Sequence, residues 1–241
     1  VFNRQGFLRA DKYHPKIDVR SKDFVTHVEV GRIFAMRNYN RTPEQMMASA
    51  EGTVARAKES GATSGAIAIG NPFGSNFEGD VSLEKAISVI EMVMDKWHAQ
   101  GLSVSACRII DDMGAAMPHT LAEILNVLQQ RWPEIVDYGL HLHNQRGMAS
   151  ICYYEALRMG VTHFDTSLGG LGGCPYCGNG RSAGHVPTED FVYLCHELGI
   201  KTGLNLEKLI EAAAIAEDVV GHSLWGHCSC DRIGRRPHLV V

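Results

Sequence analysis

The chain has 241 residues, 45% of them hydrophobic, enough for one large or two small domains with a sizeable buried core. A net charge of −4 argues against a nucleic-acid or other polyanion partner, and with no signal peptide and no apolar run near the roughly 18 residues of a membrane span, a membrane protein is not expected. Seven cysteines, an odd number in a chain this long, exclude a disulfide scaffold and point to free thiols in the reducing cytoplasm or an organelle matrix.

Short β-branched runs alternate with helical patterns along the chain. Residues 24–30 predict a strand, and Thr42-Pro43-Glu44-Gln45 then opens a helix, with threonine as N-cap, proline at the first helical position and Gln45 closing a capping box. That helix runs to Glu59 and stops at Gly61. Residues 66–69 form a second strand, followed by a loop through Asn71, Pro72, Phe73 and Gly74. Ser82 caps a helix to about residue 99, residues 103–110 make a third strand, and a loop through Asp111, Asp112 and Gly114 leads to a helix at 118–131. A fourth strand covers 135–142, a helix 148–159, and a fifth strand 161–166. A glycine-rich loop from Gly169 to Gly184 precedes helices at 188–198 and from Asn205. The basic tail with Arg232, Arg235 and Arg236 reads as a solvated terminus.

Repeated β-loop-α units of about 35 residues imply a parallel sheet whose strand C-termini lie on one side. No Gly-x-Gly-x-x-Gly joins a strand to a helix, and chemically capable residues follow several different strands, which favours a barrel over an open doubly wound sheet. Five strands are legible where a (β/α)8 barrel needs eight.

His141 and His143 end the fourth strand. Alternate residues of a strand share a face, so the two imidazoles make half of a divalent metal site, or else a hydrogen-bonded core histidine beside a surface one. Cys174, taken alone, reads as an inert buried thiol. It also begins Cys174-Pro175-Tyr176-Cys177, a Cys-x-x-Cys pair. A zinc knuckle with Cys228 and Cys230 fits poorly, because that pair lacks the two-residue spacer; a redox-sensitive Cys174–Cys177 pair fits better.

The order of these pieces resembles 3-hydroxy-3-methylglutaryl-CoA lyase and its relatives among the metal-dependent TIM-barrel lyases of the Asp-Arg-Glu motif superfamily. The resemblance begins near Asn3 and is strongest over residues 139–209. His141-Leu142-His143-Asn144-Gln145-Arg146-Gly147 is similar to the motif after strand seven that supplies two metal ligands. Gly169-Gly170-Leu171-Gly172-Gly173-Cys174-Pro175-Tyr176 is similar to the glycine-rich loop after strand eight with its catalytic cysteine. Thr188-Glu189-Asp190-Phe191 and Gly199-Ile200-Lys201-Thr202-Gly203 continue the match in order. More loosely, Asn3-Arg4-Gln5-Gly6-Phe7 resembles the loop after strand three, and Pro72-Phe73-Gly74 with Phe77-Glu78-Gly79 falls at the loop after strand five. Asp111-Asp112-Met113-Gly114 resembles a Gly-Asp-Thr segment, with Ile110 in the glycine's place.

The resemblance implies a TIM (β/α)8 barrel in one domain, residues 1–241, with the first two strands and most of the third falling before Val1 together with the Asp-Arg-Glu motif. An arc of parallel strands with open edges is then expected unless another chain or further residues fill the gap. It implies a divalent cofactor, Mg2+ or Mn2+ with Zn2+ as the alternative, held by His141 and His143. His185 stands where the family has an asparagine ligand; it would favour softer metals, or else it points elsewhere and water completes the shell. Cys174 would protonate the acetyl-CoA enolate. Asp111, preferred over Asp112 on register, would move protons or hold a metal-bound water, the plain alternative being a loop cap. Glu189, the third acid or thiol assigned to the site, would cap the following helix or support the site from behind. Asn144, where the lyases carry aspartate, resembles the related acyl-CoA-condensing synthases. The expected activity is cleavage of a 3-hydroxy-3-methylglutaryl-CoA-like thioester to acetyl-CoA and a 3-oxo acid, with an acyl-CoA as partner and a homo-oligomer as assembly. Its rivals are a related lyase or synthase with another 3-hydroxy-3-carboxyalkyl thioester, and a barrel without catalysis.

Overall fold

The structure is a computed structural model that describes residues 24–177 and 182–228, with Arg9, Lys12, Tyr13 and Lys16 ahead of them. The Asn3–Phe7 segment, Cys230 and the basic tail lie outside the described residues. Five parallel strands form one sheet in the order β1 (Val25–Glu29), β2 (Ser64–Gly70), β5 (Ser103–Asp111), β6 (Asp137–Leu142) and β7 (His163–Phe164). Each strand follows its neighbour in sequence, and a helix connects most pairs, as β-loop-α repeats dictate. The sheet is an open arc: β1 and β7 are its edges, and the barrel is not closed among the described residues.

The helices cover one face of the sheet. α2 (Pro43–Glu59) opens with the anticipated capping box, Thr42 accepting from the Gln45 amide and Gln45 from the Thr42 amide. α3 (Leu83–Ala99) is capped by Ser82, α4 (Pro118–Arg131) and α5 (Ala149–Arg158) follow, and α6 (Thr188–Glu197) precedes α7 (Leu206–Val220), capped by Asn205. Val28, Ile69, Val104, Ile109, Leu140 and Leu142 point into the core beneath these helices. Trp97 of α3, fully buried, lies so close to Gly65 that a side chain there would overlap its ring, and its indole N–H donates to Thr26 Oγ1 at 3.1 Å.

Two elements depart from the sequence reading. The last strand, expected over 161–166, pairs only through His163 and Phe164. Residues 32–39 form an additional helix, α1 (Arg32–Tyr39), whose local signals are weak: Gly31 at its N-cap offers no side-chain bond. Its cap comes from far along the chain. Glu78, at the turn between two short antiparallel strands, β3 (Gly74–Ser75) and β4 (Gly79–Asp80), accepts from the amides of Arg32 and Ile33 at 3.2 and 3.1 Å. Among the described residues no helix is long and apolar enough to cross a membrane.

Candidate metal and catalytic site

The face opposite the helices carries the chemistry. In the β5–β6 register Ile110 pairs with His141 and Asp111 with Leu142, so His141 and His143 share the helix-free face. His185 joins them from the glycine-rich loop, bridged to His143 in an antiparallel pair. One ligand nitrogen from each of His141, His143 and His185 lies within 4.8 Å of the others, and the His185 ring centroid is 4.4 and 4.3 Å from those of His141 and His143.

Each imidazole is held through Nδ1 by an acceptor outside the cluster. His141 Nδ1 meets Asp165 Oδ2 at 2.8 Å, His143 Nδ1 the Ala183 carbonyl at 2.8 Å, and His185 Nδ1 the Leu142 carbonyl at 3.2 Å. An acceptor at Nδ1 puts the ring proton there and leaves Nε2 with a free lone pair, the tautomer a metal ligand needs. Burial, then the neighbouring imidazoles, push the His185 pKa down to about 4, so this ring is neutral at physiological pH. For His143 burial also lowers the pKa, but the Asp112 carboxylate and Ala183 carbonyl outweigh it and the net shift is upward. The His141 imidazole is the first cause holding the Asp165 carboxyl below its usual range. Three imidazole nitrogen donors, oriented before any ion arrives, suit a divalent transition metal.

The structure places the two aspartates in different surroundings. Asp111 is fully buried on the same face as Leu142, its Oδ2 accepting from the Ala116 amide at 2.7 Å, and burial raises its pKa. It is a loop cap turned toward the helices, because its register places it one residue out of phase with the histidines. Asp112 lies against the histidines, with Oδ1 3.5 Å from His143 Nε2. It is fixed from two sides: its amide donates to Asn71 Oδ1 at 3.0 Å, and its carbonyl accepts from Gln145 Nε2 at 2.8 Å. Asn71, left-handed at φ 51° and buried, donates in turn to Glu29 Oε2 at 3.1 Å.

Cys174 lies nearly buried with Phe34, Met113 and Cys177, its amide accepted by Ser182 Oγ at 3.0 Å. Its thiol is brought down to about 7, first by the Cys177 thiol beside it, with His143 also favouring the thiolate. Glu189 does not reach this group. It is buried at the start of α6, and its Oε2 accepts from the Gly169 amide at 3.0 Å, so it anchors the glycine-rich loop. A cleft of about 380 Å³ opens beside the cluster, lined among others by Asn144, Gln145, His185, Pro187 and Trp225. Asp112, Asp165, Asn71 and Glu29, which sequence reasoning missed or ranked second, are the polar residues linked to the histidine cluster directly or through Asp112. Their one shared signal is a polar residue at or just after a strand end.

The family model described as HMGL-like matches residues 13–216. Over 152 residues, 63% of this chain and 48% of the relative, the chain is 39% identical to the hydroxymethylglutaryl-CoA lyase of Bacillus subtilis. It is 32% identical over 187 residues to the (R)-citramalyl-CoA lyase of Chloroflexus aurantiacus, covering 78% of this chain and 56% of that one. Human mitochondrial hydroxymethylglutaryl-CoA lyase is 30% identical over 210 residues, covering 87% and 60%. The chain thus spans about half to three fifths of the length of these relatives. Among solved structures, an HMG-CoA lyase from Acinetobacter baumannii in complex with coenzyme A and 3-methylmalate superposes with a TM-score of 0.76 at 27% identity, covering 98% of this chain and 73% of that one. The Bacillus subtilis HMG-CoA lyase gives 0.70 at 31% identity, covering 85% and 65%. The α/β fold with its parallel sheet is that of these TIM-barrel lyases.

Proposed function

The chain belongs to the HMGL-like family, and from that premise we propose that the protein is a metal-dependent acyl-CoA carbon–carbon lyase that cleaves a 3-hydroxy-3-methylglutaryl-CoA-like thioester to acetyl-CoA and a 3-oxo acid. The observation that carries the reading is the convergence of His141, His143 and His185, each held through Nδ1, beside Asp112 and the Cys174 loop.

The three Nε2 atoms would hold a divalent ion, and an all-imidazole set favours Mn2+ or Zn2+ over Mg2+. When bound, such an ion polarises the substrate's tertiary hydroxyl and a neighbouring carbonyl or carboxylate oxygen. The chain's own residues do the rest. Asp112 takes the hydroxyl proton. The carbon–carbon bond then breaks, its electron pair passing into the enolate of acetyl-CoA while the alcohol carbon becomes the ketone of the 3-oxo acid. Cys174, with its pKa near 7, returns a proton to the enolate carbon, the range in which a general acid works best. Gln145 ties this machinery together, donating to both the Asp112 carbonyl and Ser182 Oγ. Free thiols at Cys107, Cys152, Cys174, Cys177 and Cys195 suit a reducing cytoplasm or organelle matrix.

A second reading, the same chemistry on a shorter 3-hydroxy-3-carboxyalkyl thioester, is favoured by His185 in place of the family's asparagine and by the resemblance to a citramalyl-CoA lyase. Assaying the full-length protein on both thioesters, with acetyl-CoA as the common product, separates the two. Release of acetyl-CoA from neither, with metal supplied, rejects the lyase reading.

A further inference from the structure

In the proposed cleavage Cys177 carries no proton itself and acts only by lowering the pKa of Cys174. The Cys177 amide donates to the Cys174 carbonyl at 3.3 Å, closing a four-residue turn. Such a turn holds its end Cα atoms within about 7 Å, the span a disulfide bridges. Both side chains are buried in one small apolar cluster, and Cys177 is the first cause lowering the Cys174 pKa. Cys177 Sγ also donates to the Asp112 carbonyl at 2.9 Å, and the Cys174 amide is fixed by Ser182. Cys107, Cys152 and Cys195 sit apart from this pair on β5, α5 and α6.

We propose that Cys174 and Cys177 form a reversible dithiol–disulfide site that reacts with the disulfide of a low-molecular-weight thiol. The Cys174 thiolate attacks one sulfur of the small disulfide, forming a mixed disulfide and releasing one thiolate, which takes up a proton. Cys177 then gives its proton to solvent and attacks Cys174 Sγ, closing the protein disulfide and releasing the second small thiol. Two protein thiols are oxidised and one small disulfide is reduced to two thiols. The two cysteines are suited to these different tasks. An attacking thiol works best with a pKa near ambient pH, and Cys174 lies there. Cys177 is held protonated by the Cys174 sulfur, by burial and by the Cys174 charge. The mixed disulfide removes that charge and frees Cys177 to resolve it. The exchange stands apart from the lyase reading, under which the disulfide would also withdraw the proton donor.

The test is exposure of the reduced protein to oxidised glutathione, followed by alkylation of remaining thiols, intact mass and peptide mapping. The wild type should lose two hydrogens, retain no glutathione, show a Cys174–Cys177 link and recover with dithiothreitol. Cys177→Ser should keep one glutathionyl group on Cys174, and Cys174→Ser should react at least tenfold more slowly. A wild type that keeps glutathione on Cys174, or that stays fully reduced, overturns the proposal. Turnover is not measured, so failure here leaves the lyase reading standing, and failure of the lyase assay leaves this result standing.

Discussion

Replacing Asp165 by asparagine asks whether the histidine cluster is built for a metal. Asp165 meets His141 at Nδ1, at 2.8 Å, which leaves Nε2 for an ion. Its carbonyl is separately held by the Tyr153 hydroxyl at 2.6 Å, so the backbone stays anchored when the charge goes. Outer partners of metal-bound histidines are worth about 10–100-fold in affinity. The Asp165 side chain is 70% exposed, and water screens such a charge, which places the loss at the lower end, about tenfold or ~1.4 kcal/mol. The assay is competition against a chromophoric chelator with Mn2+ and with Zn2+ at neutral pH. Glu134→Gln serves as control, since it removes a comparable partner 3.1 Å from His98, a surface histidine remote from the cluster. Asp165→Asn should weaken binding about tenfold and Glu134→Gln not at all. Wild-type affinity in Asp165→Asn, or an equal loss in both variants, refutes the reasoning.

In the full-length enzyme Cys174→Ser should lower turnover by about two to four orders of magnitude with little change in thioester binding, because a general acid acts on developing charge; near-normal turnover removes Cys174 from the mechanism. Gly184→Ala should weaken metal binding and lower the melting temperature together, since the new methyl would overlap the Gly170 and Leu171 carbonyls and pry apart the loop that carries His185; an overpacking cost of about 1–3 kcal/mol is expected, and unchanged melting and affinity would contradict it. Glu29 is buried and its carboxyl is raised above the usual 4.5, first by burial, although His27 and Asn71 oppose the shift. The folded state therefore binds this proton more tightly than the unfolded chain. The resulting stability is present below 4.5 and lost as pH rises through the folded value. Glu29→Gln should accordingly melt higher than wild type at alkaline pH, with the gain fading toward pH 4.5 in calorimetry; a gain that does not depend on pH would show another cause.

Much of this was legible because local signals and tertiary structure agree. Thr42 and Gln45, Ser82 and Asn205 start helices in the structure as in the sequence, and the spacing of His141 and His143 fixed their common face. What remained hidden depends on distant pairings. The α1 cap is Glu78, more than forty residues away, so no local rule finds that helix. The choice between Asp111 and Asp112 turns on where β5 stops alternating, and only the pairing of Asp111 with Leu142 shows it. The Asn71 clamp on Asp112 joins two strand ends through a left-handed residue whose side chain carries no sequence signature. His185 was visible as a departure from the family's asparagine, but its place among the other rings follows from the loop folding back onto β6, where the Asn144 amide meets the Gly184 carbonyl at 2.9 Å.

The most direct measurement is a crystal structure of the protein with Mn2+ or Zn2+, read by anomalous scattering at the metal edge. An ion bound by Nε2 of His141, His143 and His185 at about 2.0–2.3 Å, with Asp165, Ala183 and Leu142 still on the three Nδ1 atoms, is the predicted result. An anomalous map with no peak among the three rings at saturating metal, or with His185 turned out of the coordination sphere, would contradict it.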